Sequence, residues 1–204
     1  MRVVQISFVI GMFAVLFATN ARAQIVDLNN PYECVQGCGF SLGDRLATPV
    51  LAPIAFVRFC TQHPADCKVS HMEVDGKPVI LTRARLVDLL EVNRGVNESI
   101  KPQANIKSVL TDEWRLAPSL GDCNDYAVTK RHELLARGWP SRSLLLAEVL
   151  LASGEHHLVL LVRTREDDLV LDNLSWKIRP ASQSRYRWVR AQQVENPMYW
   201  STLQ

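Results

Sequence analysis

Of the five cysteines in this 204-residue chain, Cys123 has the surroundings that suit a nucleophile. A thiol attacks as its thiolate, and the start of a helix favours that form through unpaired backbone N–H groups and the positive end of the helix dipole. Cys123 follows Asp122, a residue type that caps helix N-termini, and a helical pattern runs from there to Gly138 and Pro140. A nucleophilic thiol also needs a base to handle its proton and a third group to orient that base. His157 begins one apolar run and Asp172 ends the next, so adjacent antiparallel strands would bring imidazole and carboxylate together. Three such groups suit covalent catalysis on an acyl group.

The other four cysteines fall into two close pairs, Cys34 with Cys38 and Cys60 with Cys67. An oxidising compartment would join them as local disulfides and leave Cys123 over. Four cysteines allow three connectivities, and spacing alone does not choose among them. A zinc site is disfavoured, since no C-x-x-C repeats and no histidine pair is suitably placed.

Several elements must hold these groups. Residues 24–49, punctuated by Asn29, Asn30, Pro31, Gly37, Gly39 and Gly43, read as an irregular tethered region. Ile54, Phe56, Val57 and Phe59 between Pro53 and Pro64 predict a short helix. Thr82 predicts a cap for a second helix to about Asn97, with Leu86, Leu89, Leu90 and Val96 on its apolar face. From Lys101 to Gly121 the pattern is weak, a long loop of the kind that often serves function. The helix beginning at Asp122 places Tyr126, Ala127, Leu134 and Leu135 on an apolar stripe, with Lys130, Arg131 and Arg137 on the polar side. Residues 143–151, 157–164, 169–172 and 185–190 then read as four strands, the last with one wet face. Helices first and a sheet afterwards make an α+β domain.

The N-terminus belongs to targeting. Arg2, the nearly uncharged stretch 3–18 and Ala21-Arg22-Ala23 match a secretory signal over residues 1–23, leaving 24–204 as a single mature domain; an uncleaved N-terminal anchor is the competing reading. Cleavage would remove two of the 23 basic residues and none of the 21 acids, so the mature chain is formally neutral. A neutral chain without a long Lys/Arg run lacks the footprint of phosphate-backbone binding, and nucleic acid is excluded as a partner. No later stretch is apolar enough to span a bilayer.

Several spaced motifs resemble one family, the bacterial transglutaminase-like cysteine peptidases. They are Gly121-Asp122-Cys123-Asn124-Asp125-Tyr126-Ala127 with Lys130, then Gly138-Trp139-Pro140, His157-Leu158-Val159-Leu160 and Leu169-Val170-Leu171-Asp172-Asn173-Leu174. Upstream, Phe59-Cys60 with Pro64 and Cys67, and Val92-Asn93 with Val96-Asn97 and Ile100, are similar as well. The resemblance implies a papain-like, transglutaminase-like fold with the nucleophile helix packed on an antiparallel sheet. It implies an exported, periplasmic or secreted thiol peptidase with Cys123, His157 and Asp172 as nucleophile, base and orienting acid, acting on a protein substrate such as a surface adhesin. It further implies calcium at Asp122, Asn124 and Asp125, but the family pattern has an acid where this chain has Asn124. The lost charge predicts weak or dispensable calcium, so no cofactor is required.

Other readings stand beside these. The same site could pass its acyl group to an amine, as transglutaminases do, or the fold could serve as a non-catalytic binding module. His156 and His157 point to opposite faces of a strand, and the resemblance selects His157. His63, His71 and His132 receive no role, and Trp114 is a candidate for the cleft wall. Asp122 and Asp125, at the cap and three residues beyond, form a capping pair with or without a metal.

Overall fold

In the computed structural model, which describes residues 41–68, 77–104 and 111–204, the apolar stretch after Pro53 is helix α1 (Ile54–Gln62). The segment 1–23 and the pair Cys34 and Cys38 lie outside the described residues. The turn after α1 returns at Pro64, and a disulfide joins Cys60 to Cys67 across a Cα separation of 5.6 Å. Thr82 caps α2 (Arg83–Ser99), its hydroxyl accepting from the Arg85 N–H at 3.3 Å. The buried face of α2 is Leu89, Val92, Asn93 and Val96, whereas Leu90 is exposed. A polar asparagine therefore holds the phase that apolar counting gave to leucine.

Asp122 starts α3 (Cys123–Ala136) with a reciprocal capping box with Asp125, and Gly138 leaves it at a φ of 82°. The polar side expected for α3 is corrected here. Lys130 and Arg131 are both buried, with Lys130 bonded to Asn93 and Arg131 bonded to the carbonyls of Leu144 and Asp66. Burial of such groups is tolerated because each finds acceptors.

The sheet is larger than four strands. It contains β1 (Leu46–Val50), β4 (Leu144–Leu150), β5 (His156–Val162), β6 (Leu169–Leu171), β7 (Arg179–Pro180), β8 (Arg187–Gln192) and β9 (Trp200–Leu203) in the order β1-β9-β8-β4-β5-β6-β7, every pairing antiparallel. Strand β1 corrects the reading of 24–49 as irregular throughout. It is an edge strand with exposed side chains, a register shift and Pro49, features that erase the usual alternation and that only an edge tolerates. The opposite edge, β7, also carries a proline, Pro180. Within the long loop, β2 (Lys101–Pro102) and β3 (Leu120–Gly121) pair in parallel and bring the loop's end back to its start.

Strands β4 to β6 are buried on both faces. One face packs Leu145, Ala147, Val149, Val159, Leu161 and Val170 into a core cluster. On the alternate positions, Trp200 meets Phe56 of α1 at a ring separation of 5.6 Å, and Phe56 meets Trp114 at 5.6 Å. Trp114 is thus a core residue, the commoner place for a tryptophan. Among the described residues no helix is long and apolar enough to cross a membrane.

Asp168 lies buried in this core with its Oδ2 accepting from the Leu42 N–H at 2.8 Å. Burial pushes its carboxyl up to about 7 despite that bond. An acid whose pKa rises on folding binds its proton more tightly in the native state, so stability falls as pH climbs from the ordinary carboxylate range through about 7. Asp168→Asn keeps an acceptor for Leu42 and removes the titration. Thermal unfolding should find the variant more stable than wild type at pH 8, by as much as about 4 kcal/mol, and near parity at pH 4, since each of roughly three tenfold steps in proton affinity is worth about 1.4 kcal/mol. A loss of stability at both values would show that the amide cannot replace the carboxyl.

Candidate active site

The site forms where α3 begins and β5 and β6 meet. Gly121, the last residue of β3, is buried against the start of α3, and a Cβ there would sit 2.9 Å from Asp125 and from Ile100. Only glycine permits the chain to approach so closely. The Asp122 carboxylate then accepts from the Asn124 N–H at 2.9 Å and the Asp125 N–H at 3.5 Å, so the cap leaves the Cys123 N–H out of its bonding. Cys123 is half-buried at the helix start as a free thiol, with the Asn124 Oδ1 4.0 Å from its sulfur.

Alternation along β5 puts exposed His156 on one face and buried His157 on the other. His156 pairs with Glu148, which also binds Arg190. Asp172 follows directly on β6, and since Leu160 pairs with Leu171, it falls diagonal to His157 on the same face. His157 Nε2 lies 2.9 Å from Asp172 Oδ1, both side chains at most 5% exposed. Cys123 lies close enough to the imidazole to favour its charged form. With Nε2 engaged, Nδ1 is the ring nitrogen left for sulfur. Burial alone would lower the His157 pKa, but Asp172 and Cys123 outweigh it and push it up to about 9. Burial would likewise raise Asp172, and its bonds to His157 and Tyr186 hold it below the usual carboxylate range.

Tyr186, which the sequence pattern did not single out, and Asn93 and Asn97, which it named without a role, hold the acid and the loop after it in place. The Tyr186 hydroxyl donates to Asp172 Oδ2, and its ring lies 6.2 Å from the His157 ring. Asn97 Nδ2 donates to the Asp172 carbonyl at 3.0 Å, and Asn93 Nδ2 donates to the carbonyls of Ser175 and Trp176 at 3.3 Å. Lys130, two helical turns beyond Cys123, donates to Asn93 Oδ1 at 2.8 Å. Burial drives its amine down to about 7, with the Asp172 charge opposing. The available signal was Asn93 and Asn97, polar residues one turn apart on an otherwise apolar stripe.

The residues expected to hold calcium are engaged otherwise. Asp125 is fully buried, accepting from the Arg115 N–H at 2.7 Å, from the Arg115 guanidinium at 2.9 Å and from the Asp122 N–H at 3.3 Å. Asn124 turns its amide N–H toward Asp112 at 3.4 Å. Burial, then repulsion from Asp125, raises the Asp122 carboxyl. Among the described residues no three His, Cys, Asp or Glu converge on a point that could hold a metal ion. As arranged, Arg115 supplies the positive charge beside Asp125. His132, which the sequence left without a role, pairs at 2.9 Å with Asp66 in the turn after α1.

Comparison with known proteins finds both a family and similar structures. The sequence model of the bacterial transglutaminase-like cysteine proteinases matches residues 46–204. Similar solved structures include calcium-bound LapG of Legionella pneumophila, 26% identical with a TM-score of 0.49 over 57% of this chain and 68% of that one. A second LapG structure is 25% identical with a TM-score of 0.48, covering 57% and 66%, and EGTA-treated LapG is 28% identical with a TM-score of 0.45, covering 52% and 62%. The match thus spans about two thirds of the LapG chain. Comparison with curated protein sequences yields no match.

Proposed function

The chain belongs to the bacterial transglutaminase-like cysteine proteinases and is a cysteine peptidase, and from that premise we propose that Cys123, His157 and Asp172 are its catalytic triad. The supporting observation is the buried imidazole held between the helix-start thiol and the Asp172 carboxylate. In this reading the Cys123 sulfur attacks the substrate carbonyl carbon, and the carbonyl oxygen takes up the negative charge, with the Cys123 N–H as one donor to it. The His157 imidazolium gives its proton to the departing amine as the C–N bond breaks, leaving an acyl-enzyme thioester. Water then loses a proton to His157 and attacks the thioester, releasing the carboxylic acid product and the thiol. Asp172 orients the ring throughout, and Tyr186 and Leu174 fix its oxygens.

Iodoacetamide near neutral pH tests this assignment. Fast alkylation confined to Cys123 and loss of proteolysis in step with it are expected; slow, unselective labelling would count against a nucleophilic role. The secretory signal read in residues 1–23 supports a periplasmic or secreted site of action, where cell-surface proteins, adhesins among them, are the substrates within reach.

Calcium is expected to be dispensable, given the Arg115–Asp125 pairing and the amide at Asn124. Proteolysis should persist in EGTA at nearly its full rate. Complete inactivation reversed by calcium would show that Asp122, Asn124 and Asp125 rearrange to hold the ion, and Asn124→Glu should then tighten binding by restoring a charge.

A further inference from the structure

Beside the Asp172–Tyr186 pair lies a cavity of about 530 Å³ whose wall includes exposed Lys177, Arg179 and Arg185. Its lining holds a single carboxylate, Asp172, which is committed inward to His157, Tyr186 and the Leu174 N–H. Among the described residues Lys177, Arg179 and Arg185 form no ion pair. The surrounding sequence is biased the same way: residues 173–194 contain Lys177, Arg179, Arg185, Arg187 and Arg190 and no acid, in a chain whose formal charge is only +2. Of these five, Arg190 is answered by Glu148. A concave wall with unanswered charge of one sign concentrates ligands of the other. Ser175, Gln183 and Ser184 add hydrogen-bonding side chains to the same cavity.

We propose that this cavity is a substrate subsite that takes carboxylate side chains, so that the peptidase acts on acidic segments of its protein substrate. Its meaning rests on the triad reading, because the cavity shares Asp172 with the triad and Tyr186 lies against His157. A substrate strand whose cleaved bond lies at Cys123 then continues past Tyr186 with its Asp or Glu side chains among the three cations. Charge complementarity of this kind selects partners and speeds encounter.

Binding tests the subsite without relying on turnover. Fluorescein-labelled oligoglutamate is titrated against the Cys123→Ala chain at low ionic strength and followed by anisotropy, beside oligolysine and oligothymidylate of equal length. Oligoglutamate should bind best, and added salt should weaken it. The combined variant Lys177→Glu, Arg179→Glu and Arg185→Glu should weaken it at least about tenfold, with the corresponding triple Gln variant falling between. Unchanged melting temperatures establish that both variants fold. Failure of oligoglutamate to bind, equal binding by the Glu variant, or tighter binding of oligothymidylate lost in that variant would each overturn the proposal. Iodoacetamide labelling of Cys123 in the same variants separates the two readings. Selective labelling that survives the charge reversal with no effect on oligoglutamate removes the subsite alone, whereas unselective labelling with the expected binding removes the triad alone.

Discussion

Replacing Cys123 with Ala should abolish proteolysis, a loss of at least about 10⁴-fold, while the chain stays folded. The thiol is half-buried and its neighbours are the Asn124 amide oxygen and the His157 ring, so its removal takes almost no volume from the core. The helix start does not depend on it, because the cap is built by Asp122 and Asp125. Hydrolysis of a denatured protein and thermal unfolding of the same preparations check the two halves of this expectation. A destabilisation of several kcal/mol, the size expected from a broken core, would mark Cys123 as a structural thiol instead.

Asp172→Asn should lower kcat/KM by about a hundredfold or more and move the alkaline limb of the pH profile downward from about 9. The amide still offers an oxygen to His157 Nε2, but the negative charge that holds the imidazolium is gone, and burial is left to favour the neutral ring. The same charge has a consequence for stability. A histidine whose pKa is raised from 6.5 to about 9 on folding contributes stability that is complete below about 6.5 and is lost as pH rises through about 9. That pH-dependent loss should shrink in the variant. A full kinetic profile from pH 5 to 10 checks the assignment, and an alkaline limb that stays in place would mean that another group holds the imidazolium.

The parts of this protein legible in its sequence are those that depend on near neighbours. Asp122 and Asp125 announce the start of α3 because a cap needs its partner only three residues away. Thr82 announces α2 in the same manner, and the strict alternation of a strand sends His156 and His157 to opposite faces, with the family resemblance selecting His157. The Cys60–Cys67 bridge spans seven residues and needed only the local turn at Pro64. What the sequence could not reveal is which polar groups have distant partners. A pattern reader must place Lys130 and Arg131 in water, because nothing nearby satisfies them; the fold buries them because Asn93 stands 37 positions from Lys130 and the Asp66 carbonyl 65 from Arg131. The partner of Asp125 is Arg115, ten positions away, and the roles of Asn93 and Asn97 emerge only when the loop after Asp172 lies against α2. Strand β1 is likewise invisible without β9, which pairs with it from the other end of the chain. A buried charge or amide is stable only in the company of its acceptor, and tertiary structure alone decides whether an acceptor remote in sequence is near in space.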